Sequence, residues 1–353
     1  MSDEVILDRV GSAAVIRLNR PKALNSLNLP MVRAIREAME QYLDDASIQA
    51  VILKGEGERG LCAGGDIRVL YDMGQRSDPE ATRFWREEFP LNYAISHYPK
   101  PYVVLMDGIT MGGGVGLSAH GRHRIVTERT RLAMPETGIG YFPDVGATWL
   151  LPKAPGDVGT WMGLTGIEVD AAGAIYAGLA DTLVPSDRLD ALVEAIGALS
   201  GEVDDGSVEA TIARFSVPTT GSALEKNRSV IDRCFGFDRV EDILEALAHE
   251  GGEFAATTRD TMLKRSPTSL KVTLRLLRAG RQSSGLVECL EREFSAGVEI
   301  LRNPDFYEGV RAAIIDKDRN PQWSPASLDE VQAESIDAYL GGKHGSLFPD
   351  HRL

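Results

Sequence analysis

Two acids, Glu136 and Asp144, have the type and setting most suited to chemistry in this chain. They stand eight positions apart in the segment Met-Pro-Glu-Thr-Gly-Ile-Gly-Tyr-Phe-Pro-Asp-Val-Gly, residues 134–146. That spacing would place both on one face of a helix, but Pro143 lacks the N–H a helix needs, and Gly138 and Gly140 weaken one. A loop is therefore expected, and a loop can fold two carboxylates toward one point. The bland alternative is that Glu136 opens a helix after Pro135 while Asp144 starts a turn.

Two glycine-rich turns offer a second kind of chemistry. Gly112-Gly113-Gly114-Val115-Gly116 comes after an expected strand and precedes Leu117-Ser118-Ala119, which places the glycines at a helix start. Backbone N–H groups there lack intrahelical acceptors, and with the helix dipole they suit an anion or an oxyanion formed during acyl chemistry. Glycine could equally serve close helix packing. The other turn, Leu61-Cys62-Ala63-Gly64-Gly65-Asp66-Ile67, would let a ligand approach the backbone closely. With Gly113 it could complete the pair of N–H donors of an oxyanion hole. Gly114-x-Gly116-x-x-Ala119 also matches a dinucleotide fingerprint, with Glu136 twenty residues beyond Gly116. It comes after several elements, and its acid follows a proline, both unlike a nucleotide-binding first turn.

The elements that must position these residues read as α/β. Val5–Val10 and Ala13–Leu18, split by Gly11-Ser12, form an expected hairpin. Over 30–45, Val32, Ile35, Met39, Tyr42 and Leu43 follow helical spacing, and short apolar runs at 50–53, 102–106 and 124–127 read as strands. This alternation over residues 1–200 indicates an α/β core. Residues 201–353 read as mainly helical, with a boundary at 201–207, a capping box of Asp238 and Glu241, and a frayed tail over 341–353.

Composition narrows the function. A 353-residue chain with 43% hydrophobic residues can bury a large core. A net charge of −14 opposes nucleic-acid or anionic-membrane partners, so an anionic ligand would rely on local cations such as Arg20, Lys22 and Arg68. Three dispersed cysteines and six histidines without a ligand-like cluster point to no disulfide framework and no metal site. Residues 1–20 lack a signal-peptide pattern, and a cytoplasmic protein is expected.

The assembled motifs resemble the crotonase (enoyl-CoA hydratase/isomerase) superfamily, and within it the branch that hydrolyses acyl-CoA thioesters. The resemblance runs nearly end to end. It rests on Asn19-Arg20-Pro21-Lys22-Ala23-Leu24-Asn25, Cys62-Ala63-Gly64-Gly65-Asp66-Ile67-Arg68, Arg86-Glu87-Glu88, residues 108–118, the acidic loop, Ser266-Pro267-Thr268-Ser269-Leu270-Lys271 and Glu308-Gly309-Val310-Arg311-Ala312. It implies that residues 1–200 are a crotonase-like β-β-α spiral core, the catalytic, CoA-binding part, followed by a helical C-terminal region. It also implies an oxyanion hole from the N–H groups of Gly65 and Gly113, and substrate contacts from Glu88, Gly113, Glu136 and Asp144. CoA would lie along Lys22, Ala23, Leu24, Ala63, Gly65, Asp66 and Ile67.

The implied reaction is hydrolysis of a short β-hydroxyacyl-CoA, 3-hydroxyisobutyryl-CoA of valine breakdown before others, with no cofactor beyond the CoA of the substrate. A homo-oligomer is possible on the same resemblance. The alternative is an enoyl-CoA hydratase, which holds water between two glutamates. Glu136 matches one; the other normally lies two positions after the triple glycine, where this chain has Gly116. Asp144 stands where hydratases commonly have glycine. A CoA-binding module without chemistry is the remaining class.

Overall fold

The computed structural model describes residues 3–341 and 344–348. Its first elements are the strands β1 (Val5–Val10) and β2 (Ala13–Leu18), an antiparallel hairpin turning at Gly11, and the helix α1 (Leu29–Asp44). Asn28 starts α1 by accepting a hydrogen bond from Met31 N–H, and a proline in the first turn needs no intrahelical acceptor.

The chain then repeats a two-strand step. The strand β3 (Ala50–Gly55) is followed by β4 (Gly60–Cys62) and the helices α2 (Ile67–Gln75) and α3 (Arg83–Ser96). After them, β5 (Tyr102–Met106) is followed by β6 (Ile109–Met111) and the helix α4 (Gly113–Ser118), and β7 (His123–Val126) by β8 (Arg131–Ala133). The first strand of each step joins a six-stranded sheet ordered β1-β2-β3-β5-β7-β9, where β9 is Thr182–Leu183. The second joins a three-stranded sheet, β4-β6-β8. Every pairing in the large sheet after the hairpin is parallel, which is why β2, β3 and β5 read as near-continuous apolar runs rather than alternating ones.

Two compact units are formed, each from three stretches of chain. The first comprises residues 1–65, 90–132 and 169–222, and the second 66–89, 133–168 and 223–353. The division expected near residue 200 falls inside the first unit. Beyond Gly201 the chain forms another helix, Asp205–Ala213, started by a reciprocal cap between Asp204 and Ser207. Its Val208 and Ile212 join the core of Val15, Ile52, Val103, Leu105, Ile125, Leu192 and Ile196 on the large sheet. Burying two such side chains is worth roughly 1.5–3 kcal/mol each, and that ties the segment to the strands.

The last third of the chain is helical, as its amphipathic pattern predicts. The Asp238 capping box is not formed. Arg239 takes the cap position of the helix Val240–Glu250 without a side-chain bond, and Asp238 instead pairs with Arg278 Nε at 2.9 Å. Of the tail expected to fray, residues 342–343 and 349–353 lie outside the described residues. Within 344–348, the Leu347 N–H donates to Glu291.

Candidate active site

In the first unit, strand pairing brings the two glycine turns together. The strands β4 and β6 run parallel, with Gly60 opposite Ile109 and Cys62 opposite Thr110. Parallel strands leave the sheet at the same end, so residues 63–65 and 112–113 emerge side by side. A Cβ built on Gly64, whose φ is +107°, would come within 3.8 Å of Gly112 Cα and Gly113 N. One on Gly114 would stand 2.4 Å from the Cys62 carbonyl oxygen, so the α4 start reaches this strand only as glycine.

The surrounding backbone bonds bear on both expected donors. Val115 and Gly116 N–H both bond the Gly112 carbonyl, which makes Gly113 the first residue of the helix, with no acceptor inside it. An isolated bridge joins Leu27 to Gly65 through Leu27 N–H and the Gly64 carbonyl, and so does not use the Gly65 N–H.

The expected CoA segments are only partly gathered. Ala63 N–H donates to the Leu24 carbonyl at 3.0 Å, which joins the loop 22–24 to the second glycine turn. Buried Asn25 fixes that loop by donating to the carbonyls of Glu56 and Gly60 and accepting from Arg20 N–H. Leu24 and Asn25 are both left-handed, with φ of 53° and 55°. Lys22 is exposed. Arg20, expected as a cation for the ligand, is instead drawn to Glu4 at 3.0 Å and to the Ser26 carbonyl. Asp66 and Ile67 belong to the second unit, where they begin α2.

In the second unit the acids gather out of water. Both bland readings of the loop hold for its backbone: Glu136 opens a short 3-10 turn, Glu136–Ile139, after Pro135, and the Asp144 carbonyl accepts from Ala147 N–H. Their side chains are nevertheless buried, each 7% exposed, and so is Glu88 on α3 at 2%. Glu88 Oε1 and Glu136 Oε2 find no hydrogen-bond partner. The Tyr141 hydroxyl donates to Asp144 Oδ2 at 3.0 Å, and its ring is stacked with Trp85 and Phe142.

A fourth acid, Glu293, reaches the loop from the helix Leu286–Ile300. It is fully buried, and its carboxylate accepts from Gly146 N–H at 2.7 Å, from Thr148 N–H at 2.9 Å and from the Thr148 hydroxyl at 2.6 Å. Unpartnered carboxylate oxygens in such a place are costly unless a proton or a ligand joins them.

Electrostatics follow from that burial. Loss of water pushes the Asp144 carboxyl up to about 7, against the pull of the Tyr141 hydrogen bond. Burial raises Glu136 and Glu88 well above the ordinary carboxylate range, and the Asp144 charge raises each further. Glu293 is pushed up to about 8 by burial, which outweighs the hydrogen bonds from Thr148 and Gly146, with Asp144 adding to the rise. In such a group some members hold protons near neutral pH while others stay ionised, and their titrations are coupled. A carboxyl poised near 7 suits acid–base work.

Glu88, Glu136 and Asp144 are thus joined by burial and charge, and Gly65 and Gly113 by strand register. Sequence reasoning missed Glu293 and Tyr141, and also Asn92, one helical turn past Glu88 on α3, fully buried with neither amide atom partnered. The spacing of Glu88 and Asn92 at i, i+4 was a signal that could have found Asn92.

Comparison with known proteins places the chain among well-described relatives. The enoyl-CoA hydratase/isomerase family model matches residues 13–340. A Xenopus tropicalis protein named mitochondrial 3-hydroxyisobutyryl-CoA hydrolase is 43% identical over 344 residues, covering 96% of this chain and 88% of its own length. The Homo sapiens protein of that name is 41% identical, covering 96% and 89%. Among solved structures, one described as a carnitinyl-CoA dehydratase from Mycobacterium thermoresistibile superposes with a TM-score of 0.93 at 41% identity, covering 98% of each chain. One described as an enoyl-CoA hydratase from Rhodobacter sphaeroides gives 0.87 at 37% identity, covering 96% of this chain and 98% of its own. The relatives named as mitochondrial correct the expectation of a cytoplasmic protein; lack of a signal-peptide pattern excludes only one route out of the cytoplasm.

Proposed function

Because this chain belongs to the enoyl-CoA hydratase/isomerase family, we propose that it hydrolyses the thioester of 3-hydroxyisobutyryl-CoA to 3-hydroxyisobutyrate and CoA, a step of valine breakdown. The observation that carries the reading is the buried Asp144 carboxyl, coupled in charge to Glu136, in a chain whose Gly116 offers no second hydratase glutamate. The relatives named as 3-hydroxyisobutyryl-CoA hydrolases support it.

In this reading the thioester oxygen, which gains negative charge as the carbonyl is attacked, is received by Gly65 and Gly113 N–H, each donor worth about 3–4 kcal/mol. Glu136 takes a proton from the attacking water, or attacks the carbonyl itself to form an anhydride that water then opens. The C–S bond breaks, and a protonated neighbour in the acid group supplies the proton that turns the CoA thiolate into thiol. Asp144 and Glu88 hold the β-hydroxyl or the water. CoA lies along Lys22, Ala23, Leu24, Ala63, Gly65, Asp66 and Ile67, its adenine read mainly by backbone groups and its charge met by Lys22. No cofactor is required, and a homo-oligomer is part of the reading, to be checked by light scattering.

The two solved relatives described as a dehydratase and a hydratase favour a second reading, hydration of an enoyl-CoA. Incubation with 3-hydroxyisobutyryl-CoA, following free thiol, and with crotonyl-CoA, following enoyl absorbance, separates them. Thiol release with little hydration is expected. Efficient hydration of crotonyl-CoA that survives Asp144→Asn would put the second reading in place of the first.

A further inference from the structure

Glu293 is the buried acid to which the hydrolytic mechanism gives no task. It lies far along the chain from the acidic loop, yet all three of its hydrogen bonds go to the turn just after Asp144. That turn is strained at one residue. Val145 has φ +54°, a left-handed backbone that a β-branched side chain rarely adopts, and Gly146 comes next at +83°. The strained residue therefore sits between Asp144 and the first amide that Glu293 holds. On the other side, the Tyr141 hydroxyl fixes the Asp144 carboxylate itself.

We propose that Glu293 is a positioning residue, whose carboxylate holds the turn 145–148, left-handed at Val145 and Gly146, and thereby sets the direction of Asp144. The competing explanation is that Glu293 merely caps the short helix Ala147–Leu150, whose first amides it accepts, and contributes to stability alone. Capping predicts lost stability and faster exchange at the amides it holds, with kcat unmoved. Positioning predicts a loss that passes through Asp144. The inference rests on the hydrolase reading only for the role of Asp144.

Glu293→Gln in the full chain keeps the shape of the side chain but replaces one acceptor oxygen by a donor. The expected result has three parts. Amide hydrogen exchange at Gly146 and Thr148 quickens by about tenfold or more. The kcat for CoA release from 3-hydroxyisobutyryl-CoA falls about tenfold, with KM within about twofold. Added to Asp144→Asn, the same change costs less than about twofold more, because the two act as one unit.

Thr148→Val removes only the hydroxyl donor and should move exchange and kcat in the same direction by less; it carries the test if Glu293→Gln fails to fold. Unchanged exchange, a loss confined to KM, or full multiplication with Asp144→Asn would overturn the inference. Exchange is read without substrate. If the wild type releases no CoA, the hydrolase reading fails, while exchange at Gly146 and Thr148 still decides whether Glu293 holds the turn.

Discussion

The glycine turns of the first unit and the acid group of the second reach their candidate chemistry by opposite routes. At Gly65 and Gly113 the candidate working atoms are main-chain N–H groups, placed by the parallel register of β4 and β6, beside Gly64 with its φ of +107° and Gly114, where a Cβ would meet the Cys62 carbonyl. At Glu88, Glu136, Asp144 and Glu293 the working atoms are side chains brought from three separate parts of the chain into a space without water. The first kind of site is rigid by sterics and indifferent to pH. The second is held by burial and hydrogen bonds, so its charge state moves with its surroundings. Pre-aligned donors and proton-exchanging acids are the two things acyl transfer requires.

The comparison is tested most severely at the acids. Glu136→Gln and Asp144→Asn should each lower kcat for CoA release by on the order of a hundredfold or more, and together by less than the product of the two. Independent losses that multiply in full would separate the acids into unrelated roles.

At the turns, Gly113→Val should cost about a hundredfold, the size of one lost oxyanion donor, while circular dichroism reports an intact fold and the pH profile keeps its shape. A changed profile would break the distinction between pH-indifferent and pH-sensitive regions.

Stability should show the same contrast. Asp144, with a folded value of about 7, and Glu293, at about 8, are raised above their unfolded values. Folding therefore takes up protons there. The associated stability is fully present below the unfolded values near pH 4 and is lost as pH rises through 7 to 8, on the order of a few kcal/mol. Thermal unfolding should move several degrees lower from pH 5 to pH 8, and Asp144→Asn should flatten that slope. A rising midpoint over the range would show that these acids fold charged.

The smallest effect belongs to exposed Lys22. Salt should raise KM for the acyl-CoA severalfold, and Lys22→Glu should raise it again, as for a screened surface contact. A KM unmoved by both would take Lys22 out of the CoA site.

How far the sequence could be read divides along the same line. The turns were legible because backbone constraint is local: glycine where no Cβ fits, after an apolar strand, marks its own position. The hairpin and α1 were legible for the same reason. The acid loop was half legible, since Pro143 and the glycines ruled out a helix, but nothing within a dozen residues of Asp144 names its partner Glu293. Arg20 looked available for a ligand until Glu4 was seen beside it, and Asp238 looked like a cap until Arg278 took it. Ion pairs between distant residues leave no periodicity to detect. The boundary near 200 misled because a change of composition marks where strands end, not where a core ends.

The interleaving of the two units also fixes an order during synthesis. Once residue 222 has left the ribosome, every stretch of the first unit is available. The second has by then only 66–89 and 133–168, and must wait for 223–353. Until the helix Leu286–Ile300 is made, the turn after Asp144 has no Glu293 to hold it. The nascent chain therefore carries its paired glycine turns long before its acid group can be shut away from water.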